Sequence, residues 1–94
     1  MSETFPTTHT LGHLAVSPRA EARIDRDEIA EGLMRHLHGD WGLVTDRARR
    51  RNEEALGRGG QIVSKHLAAD GTLFCIVTEQ SFPFTVVTLS DEMA

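Results

Sequence analysis

Cysteine, tyrosine and lysine are scarce in this chain of 94 residues, which has one, none and one of them respectively. The single cysteine, Cys75, excludes an internal disulfide framework and fits a reducing compartment. Long apolar runs are missing as well: none approaches the roughly 18 residues of a membrane span, and no basic segment followed by an apolar one marks a signal peptide. We therefore predict a cytoplasmic protein without a membrane segment.

Positive charge is scarce and unevenly distributed. The net charge is −4, and residues 47–58 alone carry +3, which leaves −7 for the rest of the chain. Broad acidity disfavours direct nucleic-acid binding, because counterion release needs a wide positive footprint. The arginine-rich segment could still contact a local phosphate or carboxylate.

The composition is that of an ordinary globular chain, with 39% apolar and 26% charged residues. We predict a flexible tail over residues 1–9, which are polar and lack a period, and a single α+β domain over residues 10–94. A short strand should cover residues 10–16. Ser17 and Pro18 are typical of a helix start, and a brief helix to Ile24 or a rival strand follows.

The clearest periodic pattern predicts a helix from about Arg26 to His38. Asp25 and Glu28 resemble a capping box at its start, and Gly39 is the natural left-handed residue to end it. His36 is expected at the edge of the apolar stripe. The stripe consists of Ile29, Ala30, Leu33, Met34 and Leu37.

A second helix is expected to begin after a cap at Thr45 or Asp46 and to end at about Gly57. Asn52 should point inward, and a buried amide needs partners, which we predict in the backbone of the Gly39 to Gly42 turn. The opposite face should be solvated and joined by i,i+4 ion pairs, such as Asp46 with Arg50 and Arg50 with Glu54. Its charged residues are Arg47, Arg50, Arg51 and Glu54.

Beyond Gly57 the apolar period changes to two, which predicts a three-stranded antiparallel meander packed on the helices. Asp70 and Gly71 are a strong signal for a two-residue hairpin loop. The third strand could leave an apolar edge that pairs with a second copy of the chain. The strands are expected over residues 61–68, 72–79 (central) and 84–89, and the apolar edge residues are Phe82, Phe84 and Val86.

Two arrangements of reactive residues are weak candidates for chemistry. A two-residue loop would place His66 opposite Cys75, but no cleft, oxyanion donor or third residue accompanies that pair. The five histidines lack metal-ligand spacing, because His36 and His38 point to different sides of a helix. We predict no catalytic set, no metal site and no cofactor.

The stretch from Arg35 to Gly42 holds the only tryptophan. We expect Trp41 to pack under the turn, with an exposed binding anchor as the alternative, and Asp40 to cap backbone N–H groups. Residues 35–92 resemble a family of small uncharacterised bacterial proteins, often plasmid- or phage-associated, with the pattern R-H-x-x-G-D-W-G followed by D-x-x-x-x-x-N. The matching residues are Arg35, His36, Gly39, Asp40, Trp41, Gly42, Asp46, Asn52, Gly60, Ser64, Thr78, Glu79, Thr85 and Leu89.

The chain also departs from the family pattern. Where the family has a strand tyrosine this chain has His66, and where the family has a strand tryptophan it has Phe74 or a neighbour. Residues Gln80 to Pro83 replace an A-D-R-S turn of the family, and the ending is Leu89 to Met93. A family site that used that tyrosine or arginine would be lost in this chain. The resemblance implies a fold and a mobile-element origin rather than an activity.

The expected function is a non-enzymatic protein-interaction module of a mobile genetic element that binds a host or phage protein. An inhibitor of a bacterial defence system, such as an anti-CRISPR, is a sub-case. Contact would use an acidic face that imitates nucleic-acid phosphates, or an exposed sheet edge. The candidate binding residues are Arg35, His36, Asp40, Trp41, Asp46, Arg47, Arg50 and Arg51, and Gly39, Gly42 and Asn52 are expected to be structural.

Two alternatives stay open at the level of sequence. The order of a strand, helices and a meander resembles RelE/ParE-type toxins, which are ribosome-dependent ribonucleases or gyrase poisons. That activity would have to depend on His36, His38, His66 and the arginine helix. The second alternative is a homo-oligomeric accessory protein.

Overall fold

The computed structural model describes residues 7–93, which form three helices and a four-stranded sheet. The strands are β1 (His13–Val16), β2 (Gln61–Leu67), β3 (Leu73–Glu79) and β4 (Phe84–Leu89). The helices are α1 (Pro18–Arg23), α2 (Arg26–Leu37) and α3 (Asp46–Arg58), and a 3₁₀ turn (Ser90–Met93) follows β4. The predicted α+β class is confirmed. Within residues 7–93, no helix has the length and apolar content to cross a membrane.

The strand order is β1-β4-β3-β2, with β1 parallel to β4 and the other neighbours antiparallel. The prediction of a three-stranded antiparallel meander is therefore wrong, since the sheet is mixed and has four strands. Hairpins join β2, β3 and β4, and the long helical connection after β1 lets that strand lie parallel along the free side of β4. β4 is thus an interior strand, and the expected apolar edge at Phe82, Phe84 and Val86 is wrong.

Hydroxyl caps begin two of the helices, as the sequence predicted. The Ser17 side chain accepts a hydrogen bond from the Ala20 N–H at 3.1 Å, and Pro18 occupies the first turn of α1. Thr45 caps α3 in the same way, accepting from the Ala48 N–H at 3.1 Å.

The start of α2 differs from the predicted capping box. Asp25 is the residue before the helix, but its side chain makes no capping hydrogen bond. Glu28 instead accepts a hydrogen bond from the Ala69 backbone N–H at 2.6 Å. The carboxylate therefore ties α2 to the β2–β3 turn.

The face that α2 turns to the sheet is rotated from the predicted apolar stripe. Ile29, Gly32 and His36 are buried, whereas Met34 is 55% exposed. A Cβ at Gly32 would lie 2.9 Å from the Phe74 ring, so the glycine allows α2 to approach β3 closely. This approach moves His36 from the predicted edge of the stripe into the interior.

The core lies between α1, α2 and one face of the sheet, which we call the covered face. Its buried apolar residues are Ala20, Ile24, Ile29, Ala68, Phe74, Ile76, Val87 and Leu89. Because side chains alternate along a strand, the intervening residues lie on the opposite face, which we call the open face.

The outer edge of β2 is closed by α3 and by the turn before it. The Asn52 side chain holds both backbone groups of Val63, donating to its carbonyl at 2.7 Å and accepting from its N–H at 3.0 Å. The Lys65 N–H donates to the Trp41 carbonyl at 3.0 Å, and the Lys65 carbonyl accepts from the Leu43 N–H at 2.8 Å. These bonds occupy backbone groups that an edge strand otherwise leaves free.

Asn52 points inward as predicted, at 2% exposure, but its predicted partner is wrong. The turn over Gly39 to Gly42 bonds to Lys65, two residues further along β2 than Val63. The turn and the Asn52 amide therefore bond to neighbouring residues of β2 and not to each other.

The β2–β3 loop is longer than the two residues predicted. Leu67 and Leu73 are the last paired residues, and the Ala68 N–H donates to the Thr72 carbonyl at 2.8 Å. Gly71 takes the left-handed conformation in this loop, with φ +89°.

The longer loop shifts the strand register by one residue. His66 pairs with Phe74, and Cys75 pairs with Lys65. A shift of one residue moves a side chain to the other face, so Cys75 and His66 lie on opposite faces of the sheet. The predicted Cys–His pair is wrong.

Thr8 and His9, from the predicted tail of residues 1–9, contact the end of α2. The Thr8 N–H donates to the Leu37 carbonyl at 2.8 Å, and His9 is only 9% exposed. The flexibility predicted for residues 1–9 stays a prediction. The rest of the predicted tail, residues 1–6, lies outside the described residues.

Candidate functional site

The motif from Arg35 to Gly42 forms the end of α2 and the turn that follows. Gly39 ends the helix at φ +80°, as predicted, and Gly42 has φ +68°. A Cβ on Gly42 would lie 2.1 Å from the Lys65 carbonyl oxygen, so only glycine fits between this turn and β2. Asp40 accepts a hydrogen bond from the Gly42 N–H at 3.2 Å, which is the capping role expected of it.

A fully buried imidazole lies at the centre of the motif. Both ring nitrogens of His36 are hydrogen-bonded, Nδ1 to Ser64 Oγ at 2.7 Å and Nε2 to Thr78 Oγ1 at 2.8 Å. Thr78 Oγ1 lies 2.7 Å from Thr85 Oγ1, which lies 2.7 Å from the Leu11 carbonyl oxygen. α2, β2, β3 and β4 therefore share one polar network.

The Leu11 carbonyl fixes the direction of these hydrogen bonds. A carbonyl oxygen only accepts, so Thr85 donates to it, and each hydroxyl has one hydrogen to donate. Thr78 must then donate to Thr85 and accept from His36 Nε2–H. The other nitrogen of the neutral ring, Nδ1, accepts from the Ser64 hydroxyl.

His66 lies at the end of this network. Its Nε2 lies 2.9 Å from Ser64 Oγ, and because the Ser64 hydrogen is directed at His36, His66 donates from Nε2. The Nδ1 atom is then a lone-pair acceptor. It is buried without a hydrogen-bond partner in the described part of the chain, close to where a Cβ on Gly42 would be.

Burial lowers the pKa of the three histidines of this region and so favours their neutral form. Desolvation lowers the pKa of His36 to about 3, with a smaller contribution from the neighbouring His9 and His66. Burial also lowers the pKa of His9, and it lowers the pKa of His66 against the opposing effect of the Asp40 carboxylate.

Trp41 packs against this network. The indole is 5% exposed, and its ring centroid lies 5.8 Å from that of His36 and 6.1 Å from that of His9. The His9 ring meets the His36 ring edge-on at 4.9 Å. The prediction that Trp41 packs under the turn is confirmed, and the alternative of an exposed anchor is wrong.

These reactive side chains are poorly placed for catalysis on an external substrate. Both nitrogens of His36 are occupied by partners of the protein itself. Cys75 lies on the other face of the sheet, and burial raises the pKa of its thiol. Among residues 7–93, no group of three or more His, Cys, Asp or Glu side chains is arranged to hold a metal ion.

The exposed polar part of the motif consists of Arg35 and Asp40. Arg35 pairs with Glu31 at 3.2 Å and lies 3.9 Å from Asp40. With Glu28 and His66, Arg35 lines a cleft of about 90 Å³. A small-molecule site usually needs roughly 300 Å³ or more, so this cleft has room for a few water molecules and not for a metabolite.

An apolar row crosses the open face from one edge of the sheet to the other. The strand register places Ala15 beside Val86, Val86 beside Val77, and Val77 beside Val63. Ala15 is exposed and the three valines are half-buried. Phe84, on the same face of β4, is 42% exposed.

Three of the five arginines of α3 lie on the side of the helix that faces this apolar row. Ala48 lines a groove at the β2 side of the open face together with Val63 and Lys65. Arg51 follows Ala48 by three residues and Arg58 follows Arg51 by seven, so the helical period places both arginines on the side of Ala48. We call Arg51, Arg58 and the neighbouring Arg47 the arginine flank.

The α3 arginines form no ion pair with any other residue in the described range 7–93. The predicted pairs of Arg50 with Asp46 and with Glu54 are therefore wrong, which fits the small energy of exposed ion pairs. Arg49 lies on the opposite side of α3, where it and Glu53 line a pocket with the motif turn. The arginine flank is thus available to an acidic partner.

The predicted binding residues do not form one site. His36 and Trp41 are interior, Arg35 and Asp40 are exposed beside the motif turn, and the rest lie on α3. The residues on α3 are Asp46, Arg47, Arg50 and Arg51.

Sequence reasoning missed the network around His36. A signal was present in the strands, because Ser64, Thr78 and Thr85 occupy inward positions of the alternating pattern in three neighbouring strands. Polar residues at such positions need buried partners. His9 gave no comparable signal, because nothing periodic surrounds it.

Comparison of the chain with protein-family models, with curated proteins and with solved structures found no match. The resemblance to the plasmid- and phage-associated family stays a prediction.

Proposed function

We propose that this chain is a non-enzymatic protein-interaction module that binds through the open face and the arginine flank. The observation that carries the proposal is the apolar row of β-strand residues beside guanidinium groups that have no ion-pair partner among residues 7–93. Apolar centres with arginine nearby are typical of protein-binding surfaces, where arginine is enriched and a few anchors supply most of the energy.

The charge distribution indicates the chemistry of the partner. Residues 47–58 carry +3 in a chain of net charge −4, so the basic segment is local. Lys65 adds a further cation on the open face. A protein surface with acidic side chains around an apolar centre suits this arrangement, whereas the charge of −7 elsewhere repels the long phosphate backbone of a nucleic acid.

An acidic face that imitates phosphates is less well supported as the contact surface. Acidic residues of α1 and α2 are interspersed with arginines, and ion pairs offset part of the charge. The two shortest join Arg19 to Asp91 at 3.0 Å and Arg35 to Glu31 at 3.2 Å. A phosphate mimic requires a continuous acidic surface, so we favour the open face.

A mobile genetic element is the biological setting that we propose, with a host or phage protein as the partner. The motif resemblance supports this setting, and an inhibitor of a bacterial defence system, of the anti-CRISPR kind, is the form of it that we would test first. Expression of the chain should then restore phage growth in a strain whose defence system is active. Unchanged restriction of phage would remove this sub-case and leave the interaction module itself to be tested separately.

Affinity capture of the tagged chain from its native host, read by mass spectrometry, tests the interaction module. We expect one protein partner in near-stoichiometric amount, recovered less well after a high-salt wash because salt screens the arginine contacts. Recovery of ribosomes or RNA, together with growth arrest on expression, would contradict the proposal and favour the RelE/ParE-like ribonuclease alternative.

A further inference from the structure

The two edges of the sheet differ in how their backbone groups are used. Along β2, Asn52 and the motif turn occupy the outward groups of Val63 and Lys65. Along β1, residues 7–93 supply no such cover, and three of its four residues are exposed. β1 carries neither a charged residue nor a proline to discourage pairing.

The hydrogen bonds to β4 identify which groups of β1 point outward. The His13 N–H donates to the Pro83 carbonyl at 3.1 Å, and the Ser17 N–H donates to the Val87 carbonyl at 2.8 Å. Direction alternates along a strand, so the N–H and carbonyl groups of the even-numbered residues, Leu14 and Val16, point away from the sheet. This edge offers two donors and two acceptors.

We propose that β1 pairs in antiparallel fashion with β1 of a second copy of this chain, about a two-fold axis through Ala15. In this register Leu14 and Val16 of one copy exchange hydrogen bonds with Val16 and Leu14 of the other, so all four outward groups of each strand are used. The interface is isologous, and it joins the two sheets into one of eight strands.

Side chains on both faces fit a second copy in this register. Ala15 meets its own copy on the axis, where a small residue suits the short distance of a non-hydrogen-bonded pair. The apolar row then continues from Val63 of one copy to Val63 of the other. On the covered face, Leu14 is 49% exposed beside a groove that Ile29 and Leu33 line, so pairing covers apolar surface there as well.

Sedimentation equilibrium over about 1 μM to about 1 mM tests this pairing, because an edge contact of limited area suggests a dissociation constant on the order of 100 μM. Ala15→Lys and Ala15→Glu place like charges opposite each other on the axis and should each weaken the dimer about tenfold or more. Mixing the two variants pairs opposite charges and should restore association. Gln61→Lys and Gln61→Glu, at the far edge of the same sheet, should dimerise like the wild type.

Amide exchange locates the contact independently of these variants. The amides of Leu14 and Val16 should exchange more slowly as the protein concentration rises through the dissociation constant. A wild-type chain that stays monomeric at about 1 mM would overturn the proposal and leave the β1 edge to a strand of another protein. A dimer that neither Ala15 variant weakens, with Leu14 and Val16 unprotected, would overturn it too.

Discussion

His36 links α2 to two strands of the sheet, because its ring is hydrogen-bonded to a hydroxyl on β2 and to another on β3. Removing it takes one of two hydrogen-bond partners from Ser64 and from Thr78, and it opens a cavity beside Trp41. Both effects raise the free energy of the folded state, since a buried polar group that loses its hydrogen bond bears the full cost of desolvation.

His36→Ala should therefore lower the free energy of unfolding by roughly 3 kcal/mol, as measured by urea denaturation. His13→Ala removes an exposed imidazole from β1 and should change the same quantity by less than about 0.5 kcal/mol. Similar losses for both variants would show that the His36 network does not stabilise the fold.

The tautomers of His36 and His66 are fixed by the direction of the network. Nitrogen-15 NMR should show both rings neutral and protonated at Nε2 at pH 7, and His36 should remain so at pH 5 because burial lowers its pKa to about 3. A His36 ring that titrates near its ordinary pKa, or that carries its proton on Nδ1, would show that the assigned network is wrong.

At the scale of elements, the motif turn and β2 are matched to each other. Gly42 and Gly59 both have left-handed backbones, at φ +68° and +81°. They differ in their surroundings, since a Cβ on Gly42 would lie 2.1 Å from the Lys65 carbonyl oxygen, whereas a Cβ on Gly59 would meet no atom within 4 Å.

Gly59→Ala should therefore lower the free energy of unfolding by only about 1–2 kcal/mol, which is the penalty of placing a residue with a Cβ in the left-handed conformation. Gly42→Ala should cost clearly more, roughly 3 kcal/mol or above, because the turn must also move away from β2. Thermal and urea denaturation of the two variants give the comparison. Equal losses would show that the turn is not held closely against the strand.

The sequence predicted which helices and strands exist far better than it predicted which strands pair with each other. The start of α1 followed from Ser17 and Pro18, and β4 followed from a run rich in valine and threonine, because these signals are local. The parallel contact of β1 with β4 could not be predicted, since nothing in four residues specifies a partner some seventy residues away. The hairpin register failed by a single residue, since His66 pairs with Phe74 and not with Cys75.

The same limit applied to the candidate site. The sequence predicted that the motif from Arg35 to Gly42 matters, and it predicted the roles of Gly39 and Asp40 from turn chemistry alone. The burial of His36 depends on Gly32, whose close approach to Phe74 is a property of packing between elements. The open face became visible only once the strands were in register.

For the molecule as a whole, the buried histidines make stability depend on pH. The pKa values of His9, His36 and His66 are lower in the fold than the ordinary value of 6.5. A group of this kind contributes stability that is fully present above its unfolded pKa and is lost as the pH falls towards its folded pKa.

The free energy of unfolding should thus fall between pH 7 and pH 5, with His36 alone contributing about 2 kcal/mol of the loss. Urea denaturation across this range measures it, and the interval from pH 7 to pH 8 provides an internal control in which these groups contribute almost nothing. A stability that stays constant down to pH 5 would mean that the three rings are accessible to protons in the fold.

The most direct test of the proposed interaction surface is a comparison of partner recovery by two double charge reversals on one helix. Arg51→Glu/Arg58→Glu alters the arginine flank, and Arg49→Glu/Arg50→Glu makes the same change in charge elsewhere on α3. With wild-type capture as reference, the first variant should lose the partner while the second retains it. Equal recovery by both variants, or loss by both, would contradict the claim that the open face and its arginine flank form the binding surface.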